Sequence, residues 1–243
     1  MDESLYHEFF RVEERHWWFV GRQRIVLELL ASCAPERKAR TLLDVGCGTG
    51  AFLKAASERY QVWGTDVSPL AIEYARKRSL SNLHCGTLDD SPFGDRHFDW
   101  LTLLDVIEHV DDDVGLLRQA KQQMAPGGRM IVTVPAHPWL WSRHDDLNHH
   151  KRRYTREQLA TSLRRAGLRV EKLSAMNSFL FPLALVERLV MRWAGGRDDP
   201  LRVPPQRINQ LLAAVFGSER YLLRMMSLPI GLSLVALAGR EGD

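Results

Sequence analysis

Apolar and polar positions alternate along this chain with two different periods. Short apolar runs closed by glycine, aspartate or proline occur at TLLDVG (Thr41–Gly46), QVWGTDVS (Gln61–Ser68), NLHCG (Asn82–Gly86), FDWLTLLDV (Phe98–Val106) and RMIVTVPA (Arg129–Ala136). Runs of this length read as strands, and FDWLTLLDV is strongly apolar. Between them lie stretches that read as helices: AFLKAASERY (Ala51–Tyr60), Pro69 to about Ser79, and DDDVGLLRQAKQQM (Asp111–Met124). The last carries its acids in the first turn, where the helix dipole favours them. The Pro126–Gly128 tripeptide is expected to break it. Strands alternating with helices predict βαβ crossovers and a parallel sheet. A further helix is expected over Thr155–Ala166, with Thr155 and Gln158 as a capping box, and then a strand over Leu168–Ala175. Two apolar, arginine-dotted helices follow at about 179–193 and 205–226, the second with Ile208, Leu211, Leu212, Val215 and Leu222 at helical spacing. GLSLVALAG (Gly231–Gly239) is the last strand.

This order of elements predicts one α/β domain over residues 1–243. It divides into an N-terminal helical cap (1–38), a ligand-binding core (39–136), an active-site loop (137–155), a helical insertion (178–228) and the last strand (229–239). Ordinary hydrophobic (45%) and charged (26%) content excludes a disordered chain. The net charge of +3 is unevenly spread: residues 1–142 carry 16 Lys+Arg against 20 Asp+Glu, and residues 143–243 carry 17 against 10. The basic part suits an anionic partner or a solvated face. Cys33, Cys47 and Cys85 are odd in number and widely spaced, which argues against a disulfide framework or zinc ribbon. The first residues show no secretory h-region. No uncharged apolar run reaches the ~18 residues of a spanning helix. A cytoplasmic protein is expected, with peripheral membrane contact or a homodimer interface through 179–226 as open alternatives.

The strongest local signal is LLDVGCGTG (Leu42–Gly50). Glycines at 46, 48 and 50 close a strand and open a helix, a place where a ligand can approach the backbone. The spacing is GxGxG rather than the GxGxxG of dinucleotide sites. Asp44 lies two residues ahead of the turn. It would repel a pyrophosphate and suit a ligand with an ammonium group. Asp66, at the end of the second strand, can accept hydrogen bonds from both hydroxyls of a ribose.

With these residues the chain resembles the class I S-adenosylmethionine (SAM)-dependent methyltransferases. The matching pieces, in the family's order, are LDVGCGTG, WGTDVSP, CGTLDDSPF, FDWLTLLDVIEHV and APGGRMIVTVP. The resemblance implies a doubly wound, Rossmann-like sheet of seven strands, parallel except for one. It implies SAM as cofactor and S-adenosylhomocysteine (SAH) as product. It places Asp44, Gly46 and Gly48 around the methionine part, Asp66 on the ribose and Val67 beside the adenine, with Cys47 and Gly50 also among the cofactor-binding residues. Leu104 and Asp105 would meet the methionine end. Many relatives carry an acid directly after the glycine of the third-strand motif. Here that residue is Thr87, so Thr87, Asp89 or the Leu88 amide would serve the adenine. Relatives also close an N-terminal helix over SAM, which nominates Trp18 and Arg22 in HWWFVGRQR. Trp17, Trp18 and Phe19 are adjacent and cannot share one helical face.

DVIEHV, similar to a motif of quinone-precursor O-methyltransferases, offers Glu108 and His109, and His109 is the candidate base. HPWLWSRHDDLNHHKRRYT (His137–Thr155) follows the fifth strand and so falls at the same sheet edge. Read as a lid over the acceptor, it supplies an apolar wall from Trp139 and Trp141. His144 would be a second catalytic residue facing the acceptor. Asp145, Arg152, Arg153 and Tyr154 would bind substrate. A metal is not expected: methyl transfer from a sulfonium needs none in principle, and the histidines lack a recognised spacing. Nucleic acid is not expected, because the basic triplet is short. The reading is a methyltransferase, O-directed, for a small or lipid-like acceptor. N- or C-methylation, or a SAM-binding partner protein without turnover, are the alternatives.

Overall fold

A computed structural model describes residues 3–33, 41–90, 93–194 and 201–240; the side chains of Glu3, Ser4, His144 and of residues 188–194 lie outside the described set. The strands are β1 (Thr41–Val45), β2 (Gln61–Asp66), β3 (Leu83–Cys85), β4 (Phe98–Leu104), β5 (Met124–Pro135), β6 (Leu168–Met176) and β7 (Ser233–Arg240). They form a seven-stranded sheet in the order β3-β2-β1-β4-β5-β7-β6. β1 to β5 pair in parallel, and β7 runs antiparallel between β5 and β6. β4 is buried at all seven positions, five of them apolar and the other two Asp99 and Thr102. The strand order reverses between β1 and β4, and ligands bind at such a crevice, outside the carboxyl ends of the strands.

The flanking helices are α1 (Glu3–Val12), α2 (Trp17–Ser32), α3 (Ala51–Ala56), α4 (Pro69–Lys77), α5 (Asp113–Gln122), α6 (Arg143–Leu147), α7 (Arg156–Arg165), α8 (Phe181–Ala194) and α9 (Gln206–Met225). Each crossover helix starts on a side-chain or glycine cap. Ser68 accepts from the Ala71 amide and Asp112 from the Gly115 amide, and Thr155 and Gln158 form the expected capping box. No described helix is long and apolar enough to cross a membrane.

Two expectations need correcting. Pro126–Gly128 does not end a helix. α5 stops at Gln122, and the tripeptide is an irregularity inside β5, where the pairing jumps from Phe98↔Met124 to Trp100↔Arg129. Gly127 is left-handed there (φ +69°), and a Cβ on Gly128 would meet the Phe98 and Ala125 carbonyl oxygens at 2.9 and 2.8 Å. The apolar stripe expected along α9 is also split. Ala213, Phe216 and Leu223 are buried, whereas Ile208 and Leu211 face outward.

α9 returns to pack on α2, so cap and insertion form one layer. A Cβ on Gly21 would fall 2.3 Å from the Phe216 ring, so only glycine lets the helices approach this closely. The buried Asn209 side chain accepts from the Trp17 amide (2.9 Å) and donates to the Arg15 carbonyl (2.7 Å). It thereby satisfies an orphan N–H at the start of α2 from across the interface.

Candidate active site

The glycine turn leaves β1 with Gly46, Gly48 and Gly50 all at positive φ (+72°, +54° and +81°). Gly46 and Cys47 donate their amides to the Thr65 carbonyl, which staples the turn to the end of β2. A Cβ at Gly48 would meet no protein atom within 4 Å, so this face of the turn is open to the cavity beside it. The opening suits a ligand lying against the backbone.

Asp66 ends β2 and accepts from the Gly48 amide through one oxygen and from the Ser68 amide through the other, both at 2.9 Å. These bonds fix its carboxylate at the cavity wall while each oxygen keeps a further lone pair. Burial nevertheless raises its pKa. Asp44 is fully enclosed and accepts from the Thr102 hydroxyl at 2.6 Å. Burial pushes it up to about 7, against the lowering effect of Thr102 and Arg22. A third carboxylate was not foreseen. Glu13, just past α1, accepts from the Thr49 hydroxyl inside the glycine turn and is raised by burial. No local pattern marks it, because its partner is 36 residues away. Arg78 locks this corner: it donates to the Thr49 carbonyl (2.8 Å) and the Phe10 carbonyl (3.0 Å) and pairs with Glu14.

From α2, Trp18 and Arg22 reach the same cavity. The Arg22 guanidinium lies 4.6 Å from the Trp18 ring centroid and pairs with Asp105 just past β4. Asp105 sits at φ +58°, uncommon for a residue with a side chain. The adjacent tryptophans do diverge. Both line the cavity, but Trp17 packs edge-on against Phe216 of α9 whereas Trp18 carries the Arg22 guanidinium on its face.

A one-turn helix, Ile107–His109, follows Asp105. Glu108 in it is fully buried, and neither carboxylate oxygen has a hydrogen-bond partner among the described residues. Burial, and next the Asp105 charge, hold its pKa well above the ordinary value. The His109 ring hydrogen-bonds the His149 backbone and stands 4.8 Å, edge to face, from the His150 ring. Burial and His150 lower its pKa to about 4.

The 137–155 segment is more ordered than a lid needs to be. Asp145 is its hub: it accepts from the Ser142 amide and hydroxyl, from His150 Nδ1 (2.9 Å) and from Arg153 Nε and Nη2 (2.7 and 2.9 Å). Burial alone would raise its pKa, but the His150 and Arg153 bonds outweigh it and hold the carboxylate well below its usual range. Arg152 donates to the Val110 and Asp111 carbonyls, and the buried Tyr154 hydroxyl donates to Asp113. The Lys151 amide donates to the Glu108 carbonyl. The basic triplet is thus stitched to the turn that carries Glu108 and His109. Asp145, Arg152 and Tyr154 are absent from the cavity lining, and Arg153 reaches it with its guanidinium already paired. Their geometry is that of a scaffold rather than of substrate contacts. Trp139 and Trp141 do line the cavity and are partly exposed at its mouth.

The cavity measures about 1390 Å³. That exceeds the roughly 300–1,000 Å³ of a typical single-ligand site. One half is lined by Asp44, Gly46, Cys47, Gly48, Asp66, Val67, Thr87 and Leu88; Gly50 is not part of it. The other half is lined by Leu104, Asp105, Glu108, His109, Trp139, Trp141 and Leu183. The first half suits SAM: an open glycine backbone beside the Asp44 and Asp66 carboxylates.

A methyltransferase-domain family model matches residues 18–173. Over 131 residues the chain is 31% identical to the demethylmenaquinone methyltransferase of Tropheryma whipplei, covering 52% of this chain and 51% of that one. Over 117 residues it is 31% identical to the ubiquinone biosynthesis O-methyltransferase of Alkalilimnicola ehrlichii, covering 44% and 47%. The chain therefore spans about half the length of these curated relatives. In fold it is similar to a Haloferax volcanii methyltransferase solved with the Trm112 activator, with a TM-score of 0.63, 19% identity, and 99% and 96% of the two chains covered. The glycine turn, its carboxylates and the family match agree, and the chain belongs to the SAM-dependent methyltransferases.

Proposed function

We propose that the chain transfers the methyl group of SAM to a hydroxyl of a small acceptor with an apolar part. The observation that carries this is one continuous cavity joining a SAM-shaped half to a second half walled by Trp139, Trp141 and Leu183. Leu183 and Val186 on α8 continue that apolar surface outward, which suits a lipid-like tail. The likeness to a ubiquinone biosynthesis O-methyltransferase supports an oxygen acceptor.

When SAM is bound, its sulfonium supplies an electrophilic methyl and a neutral leaving group. The protein's task is to hold the acceptor oxygen in line with the carbon–sulfur bond, and such positioning is worth about 7–11 kcal/mol. Asp66 and the glycine turn set the cofactor. The tryptophans and Leu183 set the acceptor. His109 lines the second half and stays neutral across the physiological range, so it has a lone pair for a proton. Its basicity is too far depressed to deprotonate an alcohol unaided.

The test has two stages. SAH titrated into the purified protein should bind at micromolar concentration, and Asp66→Ala should weaken it by about 100-fold. Labelled SAM is then offered with a panel of catechols, phenols, amines and their alkylated forms. Methyl ether formation that improves with alkyl length is the expected result. Methylamine products, or SAH binding without any transfer, would replace this reading.

A further inference from the structure

We propose that Asn177 is a specificity-determining residue for the acceptor. Its carboxamide recognises a neutral hydrogen-bonding group, a hydroxyl or a carbonyl, at the end of the acceptor remote from the methylated oxygen. The proposal deepens the methyltransferase reading and rests on it for its role.

Asn177 leaves β6 and lines the cavity together with Pro135, Leu180, Leu232 and Ser233. Pro135, Ser233 and Met176 stand side by side across β5, β7 and β6, so this corner is the far end of the carboxyl edge. β6 lies three strand spacings beyond β4 in the sheet, roughly 14 Å. An acceptor that meets SAM beyond β4 and Asn177 beyond β6 is therefore elongated. That reach accounts for a cavity larger than a single ligand needs.

The Asn177 side chain is 0% exposed, and neither Oδ1 nor Nδ2 has a partner among the described residues. A buried amide is ordinarily hydrogen-bonded, and leaving one unpaired costs free energy. The fold nevertheless holds it in place. The Asn177 backbone sits at φ +58°, and its carbonyl accepts from the Leu232 amide. The buried Glu219 of α9 accepts from the amides of Ser178 (2.6 Å) and Phe179 (2.8 Å), which fixes the turn that carries Asn177. Asparagine is common at positive φ, and that explains the backbone but not the carboxamide. Glycine takes the same conformation with nothing to leave unpaired. The Ser178 hydroxyl, His137 Nε2 and the second Glu219 oxygen are unpaired too, yet none of these residues lines the cavity. Asn177 is the one of the four that a ligand in the cavity meets.

The chemistry of the recognised group follows from the carboxamide. It offers one acceptor oxygen and two N–H donors, and no charge. A hydroxyl donates to Oδ1 while accepting from Nδ2, and a carbonyl accepts from Nδ2. The adjoining wall is apolar, from Leu180, Leu183 and Leu232, so an ionised group would be stranded there. An acceptor without the polar group leaves the amide unpaired, which is how a hydrogen-bonding site rejects an analogue of the right shape.

The test uses the full chain loaded with SAH and two rigid probes. One is para-phenylphenol, and the other is the same biphenyl frame with a second hydroxyl at its far para position. Calorimetry reads the binding of each to wild type and to Asn177→Gly, a variant that keeps the positive φ and removes the carboxamide. Thermal unfolding of both proteins is measured without ligand. The expected result is roughly tenfold or tighter binding of the dihydroxy probe by wild type, the net effect of one hydrogen bond. Asn177→Gly should bind the two probes equally, keep its SAH affinity, and unfold at the temperature of wild type or above it. A fall of more than about 4 °C would mean that the fold itself uses the carboxamide, and it overturns the proposal. Equal affinity of wild type for the two probes, binding of neither, or a preference that survives in Asn177→Gly overturns it as well. In each of these cases SAH binding and methyl transfer to other phenols leave the methyltransferase reading standing. Loss of SAH binding in wild type would instead sink that reading, and this one with it.

Discussion

Arg22 of the cap helix α2 pairs with Asp105 at the exit of β4, while its guanidinium stacks on Trp18. This contact ties the N-terminal cap to the sheet edge, and both residues line the cavity. Both side chains are largely shielded from solvent, so the pair resists screening better than a surface one. Arg22→Ala should weaken SAH binding by about tenfold, or roughly 1.4 kcal/mol. Arg22→Lys should recover only part of it, because lysine keeps the charge and loses the planar stack. Calorimetry decides: equal affinity in all three proteins would make the pair a bystander.

The cap depends on a second contact, between Gly21 and Phe216. A methyl group at residue 21 would fall 2.3 Å from the ring. Gly21→Ala should therefore cost about 1–3 kcal/mol through overpacking, even though alanine is the better helix former. Pairing it with Phe216→Leu should recover part of the loss. Thermal unfolding of the two single variants and the double one tests this, and additive effects would contradict the contact.

The parallel core was legible in the sequence because each piece carries its own signal. β4 announces itself by a mostly apolar run, the glycine turn by GxGxG, and α7 by its capping box. What escaped was set by distant partners. Pro126–Gly128 reads locally as a helix stop, yet tertiary pairing with Phe98 makes it a bulge in β5. Glu13 is ordinary in sequence and becomes a cavity residue only because α1 folds back on Thr49. Arg152, Arg153 and Tyr154 look like anion or substrate contacts. The fold spends all three on internal bonds, and no periodicity could have shown that.

Asp145 and Arg153 form a buried, two-pronged ion pair, with relative side-chain exposures of 0% and 3%. Removing one partner strands the other charge. Arg153→Met should destabilise the protein by about 3–5 kcal/mol, and Asp145→Asn by a similar amount. The loss should be smaller in Asp145→Asn plus Arg153→Met together, because no lone charge remains. Chemical denaturation of the four proteins closes the cycle.

Asp44 gives the cofactor half a pH dependence whose sign can be worked out. Its folded-state pKa is pushed up to about 7 by burial, against an ordinary 3.8. A raised carboxylate pKa favours the folded apo protein below the unfolded value. That contribution fades as pH rises from about 4 through 7, as the buried charge forms. Ligand binding runs the other way. The ammonium of SAH favours ionised Asp44, so affinity should fall below pH 7 with a limiting slope of about tenfold per unit. The groups that share this field are Arg22, Asp66 and Glu13. Below pH 7, binding should release a proton, detected as a heat that changes with the buffer's ionisation enthalpy. Asp44→Asn fixes the neutral form. It should bind SAH weakly at every pH, lose the proton release, and be at least as stable as wild type at pH 8. A flat affinity from pH 5.5 to 8 in wild type would show that Asp44 does not titrate against the ligand and that the ammonium lies elsewhere in the cavity.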